Sequence, residues 1–245
     1  EQDVLIAQKH SDEDDLACIK DISKYMRDER YIKVDGKPLI IIYRGDLLPN
    51  VKKTISIWRK YCRECGIGDI HVVGAKTFNT INPIKDGFDM GVEFPPNHLM
   101  LEEKETCKID EGFEFINYDM YEFLESKKYL QSDKFTYKTV FPSWDNSARR
   151  SNGSSVLHLE PFEYKKWLID TMQFTYKTKT LNNIMFINAW NEWAEGAHLE
   201  PDRYYGYAYL EMTSQAIVEY KQEEPLVTIV APSYNHEKFI EASLQ

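Results

Sequence analysis

The stretch 184–202 reads IMFINAWNEWAEGAHLEPD. Its first four side chains, Ile184, Met185, Phe186 and Ile187, are apolar without alternation. A strand of that kind needs apolar cover on both faces, which is the condition of parallel strands packed between helices. Polar and aromatic residues follow at once, from Asn188 onward. In parallel α/β folds the loops beyond the carboxyl ends of the strands converge on one face, and chemistry collects there. The run therefore predicts a buried strand that delivers a functional turn.

Outward from this stretch the same alternation repeats. Short apolar, β-branched runs predict strands at 38–43, 70–75, 88–93, 138–143 and 184–190. Helical patterning covers 11–28, 51–66, 117–126, 161–177 and 205–221. Strand–helix repetition of this kind is an α/β fold with a parallel sheet or barrel. The acidic run Asp12 to Asp15 behind Ser11 marks a helix start, where negative side chains meet the positive end of the helix dipole. After the last helix, the charged stretch 221–224 closes on Pro225 and reads as a linker. A new strand then begins at Leu226 and a helix near His236. The expected boundary lies near 222, giving domains at 1–222 and 223–245.

Of the 245 residues, 42% are hydrophobic and 13% aromatic, enough for a packed core and too much for a disordered chain. With 40 acidic against 30 basic residues the net charge is −10, which disfavours a nucleic-acid partner. No apolar run approaches the roughly 20 residues of a membrane-spanning helix. Cys62 and Cys65 form a C-x-x-C inside a helical run, without a second pair or a nearby His to complete a zinc site. Together with Cys18 and Cys107 they read as ordinary thiols of a reducing compartment, which places the chain in the cytoplasm, up to the inner face of the membrane.

Glu192 and Glu195 are the densest chemical signal. Two carboxylates held close cannot both ionise easily, so one is driven toward protonation while the other stays charged. That is the acid–base pair needed to break or make a glycosidic bond. Trp190 and Trp193 supply apolar faces for sugar rings, and Asn188, Asn191 and His198 supply directional polar groups. Other candidates also sit at strand ends. Trp144, Asp145 and Arg149 suit sugar or anion recognition. Tyr43 and Arg44 could bind sugar hydroxyls, although Arg44 and Asp46, two apart, equally suit a loop-stabilising ion pair. Glu93 either faces the cleft or serves the structure. His10 and His71 carry no expected role.

The run NAWNEWAEGAHLEPD together with YGYAYLE at 205–211, KPLIIIYRGDLLPN at 37–50, GFDMGVEFPP at 87–96 and FPSWDNSARR at 141–150 resembles the WbsX-type proteins of bacterial surface-polysaccharide clusters. These are usually described as glycosyltransferases and are similar to glycoside hydrolase family 99, the endo-α-mannosidases. The resemblance covers about residues 1–220. It implies a (β/α)8 TIM barrel, with only about the last five strand–helix units present, so the chain is expected to be an internal piece of a larger polysaccharide-assembly protein that contacts its own upstream strands. It also implies that Glu192 draws a proton from a sugar 2-hydroxyl to give an anhydro-sugar, while Glu195 protonates the leaving oxygen and then activates the acceptor. No metal or other cofactor is expected for this barrel. The partner is a glycan or sugar substrate in lipopolysaccharide or O-antigen assembly. An endo-α-mannosidase-like hydrolase, a non-catalytic glycan-binding module and an inactive fragment remain open.

Residues 225–244, PLVTIVAPSYNHEKFIEASL, resemble the first strand and helix of family 2 glycosyltransferases. By that resemblance Pro232, Tyr234 and Asn235 would contact a nucleotide-sugar. The divalent metal of such enzymes would belong to the remainder of that second domain.

Overall fold

In the computed structural model the described residues are 10–77, 82–97, 99, 101, 103–131, 133–150, 154–179, 182–221 and 228–230. They form two compact units that meet in sequence between Val92 and Glu93.

The first unit opens with α1 (Asp12–Ile22). Ser11 accepts from the Asp14 amide at 3.2 Å, and Asp14 accepts in return from the Ser11 amide at 3.1 Å. This reciprocal cap satisfies two amides that the helix itself cannot. Ser11→Ala is expected to cost about 1 kcal/mol, read as a lower urea midpoint of the full chain. The sequence predicts a helix to 28, but α1 ends at Ile22. There the Ser23 hydroxyl donates to the Lys20 carbonyl at 2.8 Å, competing with continued helix, and a 3-10 turn at Tyr25–Arg27 follows.

Next come β1 (Lys33–Val34) and β2 (Lys37–Ile42), an antiparallel pair. Asp35 and Gly36 make the turn between them with φ of 49° and 77°, the two positive values that suit a tight hairpin. Then follow α2 (Val51–Glu64), β3 (His71–Lys76) parallel to β2, α3 (Pro83–Asp86) and β4 (Met90–Glu93) beside β3. The apolar face of α2 buries Ile55, Trp58 and Cys62 against Ile19, Ile40, Ile70, Val72 and Phe88. On its polar side Arg59 bridges Asp69 at 2.9 Å and Asp89 at 2.7 Å, and Asp89 also accepts from the Val72 amide. The C-x-x-C lies at the end of α2 as free thiols, Cys62 buried and Cys65 half-buried.

In chain order the second unit has β5 (Glu103–Asp110), β6 (Phe113–Tyr118), α4 (Met120–Ser126), β7 (Thr136–Val140), β8 (Trp144–Asp145) and β9 (Ser154–Leu157). These precede α5 (Pro161–Lys177), β10 (Ile184–Ile187), β11 (Asn191–Glu192), β12 (Ala197–His198), α6 (Ala208–Lys221) and β13 (Thr228–Val230). The central pair is β7 and β10, which run parallel: β10 is the unbroken apolar run expected of such a strand, whereas β7 reads Thr-Tyr-Lys-Thr-Val and is nonetheless buried along its whole length. Thr228–Val230 adds a parallel neighbour on the far side of β10. The nucleotide-sugar candidates Pro232, Tyr234 and Asn235 lie outside the described residues, as do 222–225 of the expected linker.

Each of the five expected strands overlaps a strand of the structure. A second sheet of four strands, ordered β5-β6-β9-β8, was not expected. It carries the turn at Asp145 that meets the site described below. Around Trp167, 1% exposed, the rings of Phe123, Tyr129 and Phe141 pack edge-on at centroid distances of 5.7, 5.9 and 5.0 Å. This cluster fixes α5 against α4 and β7, and so fixes what leaves the carboxyl end of the central strands.

Candidate active site

β10 carries the chain straight into the polar stretch. The Asn188 amide donates to the Val140 carbonyl at 2.8 Å, one step beyond the ladder, and its side-chain amide donates to the Pro95 carbonyl at 2.9 Å. Asn188 is 6% exposed, so its polar atoms serve this buried junction. The Asn188–Ala189 and Pro95–Pro96 peptides are both cis.

The next residues fold back as a small hairpin. Asn191 pairs with His198 and Glu192 with Ala197, a 3-10 turn spans Trp193–Glu195, and Gly196 closes it at φ 63°. At the base, the Trp190 carbonyl accepts from the Leu199 and Glu200 amides at 2.8 and 3.0 Å. Glu192 thus sits on a ladder and Glu195 at the end of the turn, both held by backbone rather than by a loose loop.

Gly196 docks this turn on β8. A Cβ there would lie 2.9 Å from the Asp145 amide nitrogen and 3.2 Å from its carbonyl oxygen. With a left-handed φ besides, Gly196→Ala is expected to cost about 1–3 kcal/mol. Urea unfolding of the full chain measures it, and a neutral result would mean that the turn is not seated on Asp145.

Burial pushes the Glu195 carboxyl above its ordinary range, and the Glu192 charge adds to this. Arg149 and Arg150 pull the other way. Arg149 Nη1 lies 2.7 Å from Glu195 Oε1. Trp193, 49% exposed, stacks on His198 with centroids 3.7 Å apart and planes at 17°. Its indole Nε1 donates to Glu200 at 2.7 Å, and His198 Nδ1 lies 3.1 Å from the Glu200 carbonyl. The result is a fixed, half-open aromatic face beside an acid with a raised pKa, an arrangement suited to a sugar ring.

Several sequence candidates do other work. Trp144 is 6% exposed and belongs to the core, so it is no open stacking platform; its strand is buried by pairing with Leu157. Its Nε1 has no hydrogen-bond partner among the described residues. Asp145 Oδ1 accepts from the Ser147 amide at 2.9 Å and shapes the turn toward Arg149. The Glu93 carboxylate accepts from Lys138 at 2.6 Å, the contact expected of its structural alternative. Trp190 packs against the core and contributes through its carbonyl. Tyr43 and Arg44 belong to the first unit, where Arg44 makes a two-point ion pair with Asp46 at 2.8 and 2.9 Å, the loop-stabilising alternative.

Sequence reasoning missed Glu200, the acceptor that orients Trp193, although it stands in the quoted motif. It also missed a cluster in which the Tyr205 hydroxyl lies 2.9 Å from His158 Nε2 and 3.2 Å from Glu160 Oε1. His158 and Glu160 stand two apart, but Tyr205 lies 47 and 45 residues beyond them, too far along the chain for the sequence to signal the cluster. Among the described residues no group of three His, Cys, Asp or Glu side chains could hold a metal. No helix among them is long and apolar enough to cross a membrane.

Residues 1–213 match the model of a family described as "Glycosyltransferase WbsX". Two curated relatives from two strains of Xanthomonas campestris pv. campestris, both called "Uncharacterized protein WxcX", are each 41% identical over 221 residues. That alignment covers 88% of this chain and 32% of each relative, so the chain spans about a third of their length. A solved structure called "Glycoside hydrolase-like protein" superposes with a TM-score of 0.54 over 84% of this chain and 60% of its own, at 14% identity. That is a likeness of fold.

Proposed function

We propose a carbohydrate-active enzyme that works through two glutamates: the chain belongs to the WbsX glycosyltransferase family, and its Glu192–Glu195 hairpin has the chemistry that such an enzyme requires. The observation that carries the reading is Glu195 itself, a carboxyl kept protonated to higher pH by burial and by Glu192, beside the stacked face of Trp193. An acid whose pKa is raised in this way can give a proton to a departing glycosidic oxygen.

The steps follow the family resemblance. Glu192 takes the proton of the sugar 2-hydroxyl, and that oxygen attacks the anomeric carbon as the glycosidic bond breaks. Glu195 protonates the leaving oxygen. The anhydro-sugar is then opened by an acceptor whose proton passes to Glu195, while Glu192 returns its proton to the 2-oxygen. A sugar acceptor makes the reaction a transfer, in keeping with the family's description, and the substrate is then a glycan of cell-surface polysaccharide assembly in the cytoplasm. A water acceptor makes it an endo-α-mannosidase-like hydrolysis, which the fold likeness to a glycoside hydrolase-like protein favours.

The test is product analysis by mass spectrometry after incubating the full-length protein with mannose-containing oligosaccharides. Lengthened products are expected for transfer and shortened ones for hydrolysis. Binding without either product would reduce the site to a glycan-binding module.

A further inference from the structure

Arg149 touches Glu195 through one atom pair only, Nη1 to Oε1 at 2.7 Å, and among the described residues Glu195 Oε2 makes no hydrogen bond. Both partners are fixed to the same short strand. On one side, Gly196 seats the glutamate turn against the Asp145 backbone. On the other, the loop after β8 is pinned by Asn146. Its carbonyl accepts from the Arg149 and Arg150 amides at 3.0 and 3.1 Å, and its side chain accepts from the Ser155 amide of β9 at 2.8 Å. A surface ion pair between two mobile side chains is worth little. A pair whose two backbones are anchored to one strand fixes geometry instead, because little freedom is left to lose when the contact forms.

We infer that Arg149 is a positioning residue for Glu195: it occupies Oε1 and leaves Oε2 as the oxygen presented to the glycan. This rests on the reading of Glu195 as the acid. The role differs from direct recognition of substrate, since the guanidinium spends a donor on the carboxylate, and it explains why the arginine stands in a different loop from the pair it serves. The charged groups acting on Glu195 are Glu192, which raises its pKa, and Arg149 and Arg150, which lower it.

The decisive measurement needs no substrate. In the full chain labelled with 13C at the glutamate carboxyl, the Glu195 signal is assigned by its absence in Glu195→Gln and titrated by NMR. Arg149→Met is expected to move its midpoint to higher pH, since the opposing charge is gone. Arg149→Lys, which keeps the charge and loses the planar fork, is expected to give an intermediate midpoint. Because Arg149 is 58% exposed in its side chain, Lys at this surface position is expected to preserve the fold. A midpoint unchanged in both variants overturns the inference. Where turnover is measured, kcat is expected to fall about 10-fold with KM nearly unchanged, the pattern of a misplaced acid. A KM increase alone would overturn the positioning role in favour of substrate contact. The glycan reading fails separately, through Glu195→Gln retaining full turnover.

Discussion

Glu195→Gln lowers turnover about 10²- to 10⁴-fold, the contribution of a positioned acid–base group, with glycan binding retained. Gln keeps the shape of the side chain and still accepts from Arg149, so a loss of turnover reports the missing proton and not a collapsed turn. The pH dependence has a definite sign. Because burial and Glu192 raise the Glu195 pKa, its acid form persists above the range of an ordinary glutamate and is lost as pH rises through the raised value. Activity that depends on this acid therefore falls on the alkaline side. The same shift acts on stability: between the ordinary and the raised value the folded state binds more protons than the unfolded one, so stability declines as pH rises through that window. In Glu195→Gln both the alkaline limb and this decline are expected to vanish. Measuring kcat/KM against pH for the two proteins checks the first, and urea midpoints against pH check the second. A variant that turns over at the parent rate would remove Glu195 from the chemistry.

The parts of the fold written in local pattern were legible. Unbroken apolar runs such as Ile184–Ile187 and the long amphipathic stretch of α2 announce themselves through periodicity, and Ser11 with Asp14 announces a helix start. The four-stranded sheet was not legible, because β8 is two residues long and β6 finds its partner β9 across 35 residues of intervening chain, between Tyr118 and Ser154. Pairing of that kind is decided by tertiary contact. The site divides in the same way. Glu192, Glu195 and Trp193 stood out by density, whereas Trp144 looked like a sugar platform because sequence shows residue type and position but not burial. Glu93 and Arg149 each meet an opposite charge some 45 residues away, Lys138 and Glu195, and only the fold identifies which strand-end charges neutralise one another.

The Glu93 pair supplies the largest expected loss of stability. Lys138 Nζ, on a side chain 3% exposed, donates to Glu93 at 2.6 Å and to the carbonyls of Tyr129 and Gln131 at 2.6 and 3.1 Å. Lys138→Met keeps the bulk of the stem but orphans three acceptors at once. Breaking a buried ion pair on one side costs about 3–5 kcal/mol, and the two carbonyls place this case within that range, even though Glu93 itself is 30% exposed and can recover some water. Glu93→Gln is expected to cost less, about 1–2 kcal/mol, because the amide oxygen still accepts from Lys138. Adding Glu93→Gln to Lys138→Met is then expected to restore part of the loss, since the uncompensated anion is gone. Urea unfolding of the four proteins gives the coupling directly. If Lys138→Met costs under about 1 kcal/mol, the lysine is not what holds Glu93, and the carboxylate returns to the candidates for sugar binding. A full loss with partial recovery in the double variant assigns Glu93 to the scaffold and leaves Glu192 and Glu195 as the carboxylates available for chemistry.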